Sequence, residues 1–554
     1  MKQLNVTVGL MFNLVGGVLW GDVFASDKSN MNVIEIPEVM HDLSLPLREM
    51  ALVTSNVPSV AREIPLFTAP PKLKTPYRFG EDKALQKLSG LPLETTTMLN
   101  FLGLGVGFPG FSPAFSPPDP NAAVGLTQIV EWVNVNFAVF NKQTGQLIAG
   151  PFPGNSLWQG FGGPCEADND GDPIVVYDQI ANRWVMTQFA VTTAPFMQCV
   201  AVSTTSDATG TYNRYAFDFG TNFNDYGKLG IWPDAYYMSF VMFPSGAPDL
   251  VGAIPTAGGP AACALDRTNM LQGLSARPMQ CFQPVPAAGN FLPSNLDGQT
   301  LPPAGSPNYF VGLNQDAQGN TFPNSIALWK FHVDWQTPAN SSFNGPTALA
   351  VQPFNPIVCN DPNADCIPQP GTNDKLEVLS DRMLYRLAYR NFGRYQSMVV
   401  NHNVQVGNQA SGTRWYEIRV NNQGTPAIFQ QGTYMQPSDN NISRWMGSIA
   451  MDKRGDIAMG YSISGIGMFP SIRYTGRLVT DPLNMMRVEN TVVYGAGSQL
   501  IGSLDRNRWG DYSSMAIDPV DDCTFWYTTQ YTPVTGPQPN WSTRIVAFKF
   551  PQCR

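Results

Sequence analysis

Three features of the sequence predict an all-β fold. Runs rich in Val, Ile, Tyr, Phe and Trp alternate with clusters of Asp, Asn, Gly and Pro, the chemistry of strands joined by turns. Only 14% of residues are charged, against 50 Gly and 47 Pro, which favours turns and strands over solvated helices. One phrase also recurs: a small apolar strand, an acidic turn, an aromatic strand. Its fullest form is RWGDYSSMAIDPVDDCTFWYTTQY (508–531), in which Ser513 to Ile517 and Phe525 to Thr529 flank Asp518-Pro519-Val520-Asp521-Asp522.

The phrase returns in DPIVVYDQIANRWVMTQFA (172–190) and GSIAMDKRGDIAMGYSIS (447–464). It is more widely spaced in SMVVNHNVQVGNQASGTRWYEIRV (397–420), and it surrounds Pro233-Asp234 in KLGIWPDAYYMSFVMF (228–243). Residues 123–148 and 308–335 fill the remaining intervals. Seven units begin near residues 119, 171, 226, 306, 380, 446 and 508, a spacing somewhat wider than the roughly 40–50 residues of a propeller blade. The reading is a seven-bladed β-propeller with an irregular N-terminal extension. Radial repetition leaves only short, protected sheet edges in so long an all-β chain. Two β-sandwich domains fit the same spacing and stand as the alternative.

In chain order, residues 1–25 read as a secretory signal: Lys2 gives the positive start, Val6 to Trp20 the mostly apolar stretch, and Val23-Phe24-Ala25 a small-residue cleavage site. No transmembrane segment is expected after its removal, which takes Lys2 and Asp22 together and leaves the net charge at −8. Residues 26–100 lack sustained periodicity and read as an extension or pro-segment, with one helix-like piece at Gly80 to Leu88. Residues 101–554 form the propeller, opened by the Gly- and Pro-rich 101–120. Pro-rich residues 244–307 and residues 336–379 read as irregular loops, the kind that build a binding rim on a rigid scaffold. The acidic balance, with no basic stripe, argues against a nucleic-acid partner.

All eight cysteines follow the signal, and an even count in an exported chain predicts disulfides. Locality within units favours Cys165–Cys199, Cys263–Cys281, Cys359–Cys366 and Cys523–Cys553. The thiols are dispersed and no CxxC occurs, so zinc is not expected.

Only His41, His332 and His402 exist, and neither of the last two lies near a nucleophile elbow. Proton chemistry would therefore fall to carboxylates or tyrosines. Asp168, Asp170 and Asp172, interleaved with Asn169 and Gly171, are candidate ligands for a structural calcium ion. The run lacks the downstream Glu of an EF-hand loop, and an ordinary acidic turn is the alternative. Unit starts supply the candidate binding residues Asp234, Arg382, Arg444, Arg508, Asp511 and Tyr512, with Glu417, Arg473 and Tyr474 in neighbouring strands. Converging arginines would hold a carboxylate or sulfate, with Asp511, Tyr512 or Glu417 as acid, base or nucleophile. Equally, the repeated Arg444-Trp445 and Arg508-Trp509 pairs would brace adjacent units.

PPDPNAAVG (117–125), GDPIVVYDQIANRWVMTQF (171–189), SDRMLYRLAYRNF (380–392), RWMGSIAMD (444–452), PSIRYTGR (470–477) and the 508–531 phrase together resemble an uncharacterised family of exported bacterial β-propellers, sialidase-like in predicted fold. The resemblance spans about 117–553, implies a secreted propeller, and carries over no catalytic residue. The sialidase motif SxDxGxTW is absent from the chain, and a shared fold does not imply a shared function. The expectation is a secreted, periplasmic or cell-surface protein that binds extracellular glycan or protein through one face. The alternatives are a glycoside hydrolase or lyase with an Arg-lined central pocket, and a structural or adhesive cell-surface component.

Overall fold

The computed structural model describes residues 31–50, 62–63, 82–243, 258–284, 290–316, 320–360, 365–407, 410–437, 439 and 441–554. The signal segment 1–25 lies outside them.

Seven antiparallel meanders follow one another along the chain. The first comprises Pro120–Val124, Gln128–Val133, Asn136–Asn141 and Leu147–Pro153. The second comprises Gly171–Asp178, Arg183–Ala190, Met197–Ser203 and Tyr212–Asp218. The third comprises Phe223–Ile231, Tyr236–Phe243, Gly259–Leu265 and Met279–Phe282. The fourth comprises Phe291–Leu296, Asn308–Gln315, Thr321–His332 and Ser342–Ala350. The fifth comprises Met383–Asn391, Gln396–Val406, Ala410–Val420 and Pro426–Tyr434. The sixth comprises Ser443–Met451, Ile457–Gly465, Met468–Arg477 and Asn490–Val493. The seventh comprises Ser514–Ile517, Phe525–Tyr531 and Ser542–Lys549, completed by Thr96–Gly105 from the N-terminal side.

The acidic turns between first and second strands have a local cause. Asp178 Oδ1 accepts from the backbone N–H of Ile180 and Ala181, Asp452 Oδ1 from Arg454 and Asp456, and Asp521 Oδ1 from Cys523 and Thr524. Each carboxylate satisfies turn amides that would otherwise be unpaired, which is why the turn chemistry repeats.

First strands lie side by side in chain order, and Ser514–Ile517 returns to lie against Pro120–Val124. Side chains bond across these contacts. Asn121 Oδ1 accepts from Val175 N at 2.7 Å, Asn295 Oδ1 from Ile231 N at 3.0 Å, and Ser448 Oγ from Met515 N at 2.9 Å, while Ser514 Oγ donates to Ala122 O at 3.0 Å. Apolar cores fill the spaces between consecutive sheets: Trp132, Trp184 and Met186 between the first and second, Phe240 and Phe217 between the second and third, Tyr527 and Met459 between the sixth and seventh.

Parts of the extension add to sheet edges. Glu38–Leu43 pairs with Tyr212–Asp218, and Ile34–Ile36 with Met279–Phe282, covering two outer strands. The helix-like piece is not helical in residues 82–88. There Asp82 accepts from Arg414 and Thr433, and Leu85 bridges to Thr433, so tertiary partners override helix propensity.

The two regions read as irregular loops also contain strands. Gly259–Leu265, Met279–Phe282 and Phe291–Leu296 fall in the first, and Ser342–Ala350 in the second. The fourth unit consequently begins at Phe291 rather than near 306. Pro293 is tolerated because Ser294 to Leu296 turn away to pair in parallel with Leu387 to Tyr389 of the fifth sheet, joining the two sheets. The four cysteine pairs are those expected, with Cα–Cα separations of 5.8, 4.1, 6.3 and 5.6 Å in chain order. Cys263 and Cys281 are direct cross-strand partners.

Candidate functional site

Five aspartates occupy equivalent places at or just before first strands: Asp119, Asp172, Asp225, Asp381 and Asp511, in the first, second, third, fifth and seventh units. The backbone there departs from plain extension. Asp119, Asp172 and Tyr226 have φ of 43°, 45° and 55°, a region that non-glycine residues seldom adopt. The pairing register breaks between Gly171 and Ile174 and between Asp225 and Lys228. Such bulges re-aim side chains at sheet rims, and strain of this kind is concentrated at functional sites.

The side chains gather around Lys228. Its buried Nζ donates to Gly227 O at 3.1 Å and lies 3.5 Å from the Tyr226 ring centre and 4.0 Å from that of Tyr512. Arg382 covers the Tyr226 ring at 4.7 Å and forks onto Asp381, with Nε–Oδ1 at 2.7 Å and Nη2–Oδ2 at 3.1 Å. Arg508 bonds Glu377 at 2.8 Å and Asp511 at 2.9 Å. Asp119 accepts from Asp511 N at 2.6 Å and Asn134 Nδ2 at 2.8 Å. The hydroxyl of Tyr226 donates to Asp511 O at 3.3 Å, and that of Tyr512 to Pro173 O at 3.1 Å. Asp225 and Asp381 are half-buried, whereas Asp119, Lys228, Tyr512 and Arg508 are almost completely enclosed.

Crowded carboxylates in a dry setting resist ionising together. Burial, then Asp511 and Asp172, push Asp119 well above the usual range, and burial, then Asp172 and Asp511, do the same to Asp225. Asp172 is also raised, by burial first, with Lys228 opposing. Burial pushes Lys228 down to about 8 against the pull of these acids. The cluster can hold protons on some acids while keeping a cation beside the others. Farther along the first strands a small cavity of about 30 Å³ is lined by Ala123, Val175, Asn295, Tyr385, Ser514 and Ala516.

Of the residues singled out from sequence, Arg382, Arg508, Asp511, Tyr512 and Asp172 come together here. The others do not. Asp234 lies in the turn between the first two strands of the third sheet, at the far end from the cluster, bonded to Tyr237. Arg444 bonds Asp439 and Glu489, and Arg473 reaches the same Glu489 at 3.7 Å. The named arginines are therefore split between two places, each beside a carboxylate. Tyr474 stacks on Phe548 at 3.8 Å and bonds Thr95, bracing the sixth sheet against the seventh. Glu417 takes bonds from Ser397, Arg419 and Gln430 on the fifth sheet.

Asp170 accepts from Val191 N and Thr192 Oγ1, whereas Asp172 faces Lys228. Among the described residues no group of three or more His, Cys, Asp or Glu side chains is placed to hold a metal ion. His402 is enclosed, its ring bonded to Tyr416 and Asn403 O, and burial lowers it to about 3, so it stays neutral.

Asp119, Asp225, Tyr226, Lys228 and Glu377 escaped sequence reasoning. A signal for some was present: Asp119-Pro120 echoes Asp172-Pro173, and Asp225-Tyr226 echoes Asp511-Tyr512.

No family model matches the chain, and no curated protein does. Solved structures with some likeness include Drosophila semaphorin 1b, extracellular domains 1–2 (TM-score 0.35, 7% identity, 83% of this chain and 88% of that one). The subtype N10 neuraminidase-like protein of a little yellow-shouldered bat isolate from Guatemala gives a TM-score of 0.31 at 8% identity, over 65% and 95%. A PL25 ulvan lyase gives 0.27 at 11%, over 81% of each chain. At such scores these likenesses carry no weight for function.

Proposed function

We propose that this is a secreted, closed seven-bladed β-propeller that binds an extracellular glycan or protein at the mouth where its first strands begin. Closure is supported by the cyclic order of the first strands and by Thr96–Gly105, which completes the last sheet from the opposite end of the chain. Four disulfides support an oxidising compartment. The observation that carries the binding reading is the set of five equivalent aspartates meeting Lys228, Arg382 and Arg508. Charged acceptors and donors, fixed by bulged backbone, suit a ligand rich in hydroxyl or amide groups.

A second reading rests on Asp119 and Asp225, held toward the protonated form beside other carboxylates, as the general acid of a glycoside-cleaving enzyme is. An Arg-lined anion pocket gains no support, since each mouth arginine is matched by a carboxylate. Incubating the purified protein on glycan and extracellular-protein arrays, and reading both retention and product release, separates the readings. Retention without cleavage supports binding, released product supports the enzyme, and neither result on either array contradicts both.

A further inference from the structure

We propose that a second pocket, between the fifth and sixth sheets and at the opposite strand ends from the aspartate cluster, binds the carboxylate or sulfate group of an anionic saccharide. The cavity has a volume of about 410 Å³ and is lined by Arg394, Tyr395, Arg419, Phe429, Arg477 and Leu483, with Glu417 at its back.

Arg419 is built into this pocket as a receptor. Its Nε donates to Glu417 Oε1 at 2.6 Å, and Glu417 is itself fixed by Ser397 Oγ at 3.0 Å and Gln430 Nε2 at 2.5 Å. The guanidinium lies against two rings, 3.3 Å from the Phe429 centre and 4.2 Å from that of Tyr395. Both terminal nitrogens of Arg419 lack a hydrogen bond among the described residues. A planar guanidinium held flat with its outer edge open presents the fork that grips a carboxylate or sulfate through two parallel bonds.

Arg477 strengthens the site from behind. It is 1% exposed, and it donates to the carbonyls of Met485 and Asp481 rather than to a carboxylate. Burial lowers its basicity, the mark of a cation whose desolvation is incompletely matched. Among the described residues no carboxylate stands within ion-pair distance of Arg394 or Arg477. Three arginines and one Glu417 line the pocket, and the nearby Asp456 and Asp481, which also act on Arg477, are paired with Arg454 and Arg487, a local positive excess on a chain of net charge −8. That setting favours one oxyanion on an otherwise neutral body over a polyanion. Phe429, Val479 and Leu483, 39%, 40% and 49% exposed, give an apolar rim for the C–H face of a sugar ring.

The site shares no residue with the mouth of the first strands, and its test is separate. Calorimetric titration would use an oligosaccharide carrying a single sulfate, N-acetyllactosamine 6-sulfate, with uncharged N-acetyllactosamine and tetraglutamate as comparisons. The expected result is binding of the first alone, weakened about tenfold or more in Arg394→Ala/Arg419→Ala and in Phe429→Ala. Arg419→Lys, which keeps charge but loses the fork, should also weaken it, and Asp225→Asn should leave it unchanged. The variants' melting curves report folding, and Arg419→Lys carries the test if the double variant does not fold. No binding of the oligosaccharide at low salt, undiminished binding by the variants, or stronger binding of tetraglutamate would overturn the proposal.

Discussion

Glu131 shows how one buried acid ties pH to stability. It lies in the second strand of the first sheet, fully enclosed, and accepts from Leu104 N at 2.8 Å and Thr528 Oγ1 at 3.0 Å, both in the seventh sheet. Burial raises it to about 7. Its folded-state pKa therefore exceeds the unfolded value of 4.5, and the native state binds the extra proton between them. Stability from this group is full below about 4.5 and declines as pH rises to about 7, by an amount of the order of 3 kcal/mol. The expected outcome is that Glu131→Gln, which retains an acceptor for Leu104, loses less melting temperature than wild type between pH 5 and pH 8. Equal losses would show that Glu131 ionises freely in the fold.

At the scale of elements, the fourth and fifth first strands pair by backbone, whereas other joints between first strands include side chain to backbone bonds, each a discrete weak point. Asn121→Ala removes the acceptor of the buried Val175 N–H. An unpaired buried donor costs about 1–3 kcal/mol, so the variant should unfold at correspondingly lower urea with an unchanged m-value. An unchanged midpoint would mean that the sheets are joined by their apolar cores alone. Elements were legible where their cause is local. Asp178, Asp452 and Asp521 cap their own turns, so the repeated phrase could be read directly as strand, turn and strand. Phe291–Leu296 was hidden because Pro293 argues against a strand and its partner, Leu387 to Tyr389, is distant in sequence. Residues 82–88 were misread as helical because Asp82 is held by Arg414 and Thr433, far along the chain.

For the whole molecule, the site is assembled from sheets far apart in sequence. Asp511 N bonds Asp119 across 392 residues of sequence, and Lys228 meets both through the third sheet. Arg508, Asp511 and Tyr512 could be found from the sequence because they were left over once the repeat was accounted for. Lys228 and Asp225 could not, since the register break between them is what brings both to the cluster. Arg444 and Glu417 were misleading for the complementary reason: charge within a strand shows no direction until the sheet supplies neighbours. The most direct test of ligand binding at the start of the first strands compares array retention by wild type, Asp225→Asn and Asp225→Ala. Asp225 is half-buried at the mouth and removed from the pocket around Arg419. Both variants are expected to fold as wild type does and to lose retention of the wild-type ligand by about tenfold or more. Retention unchanged in both would contradict binding at the mouth and place the binding face elsewhere.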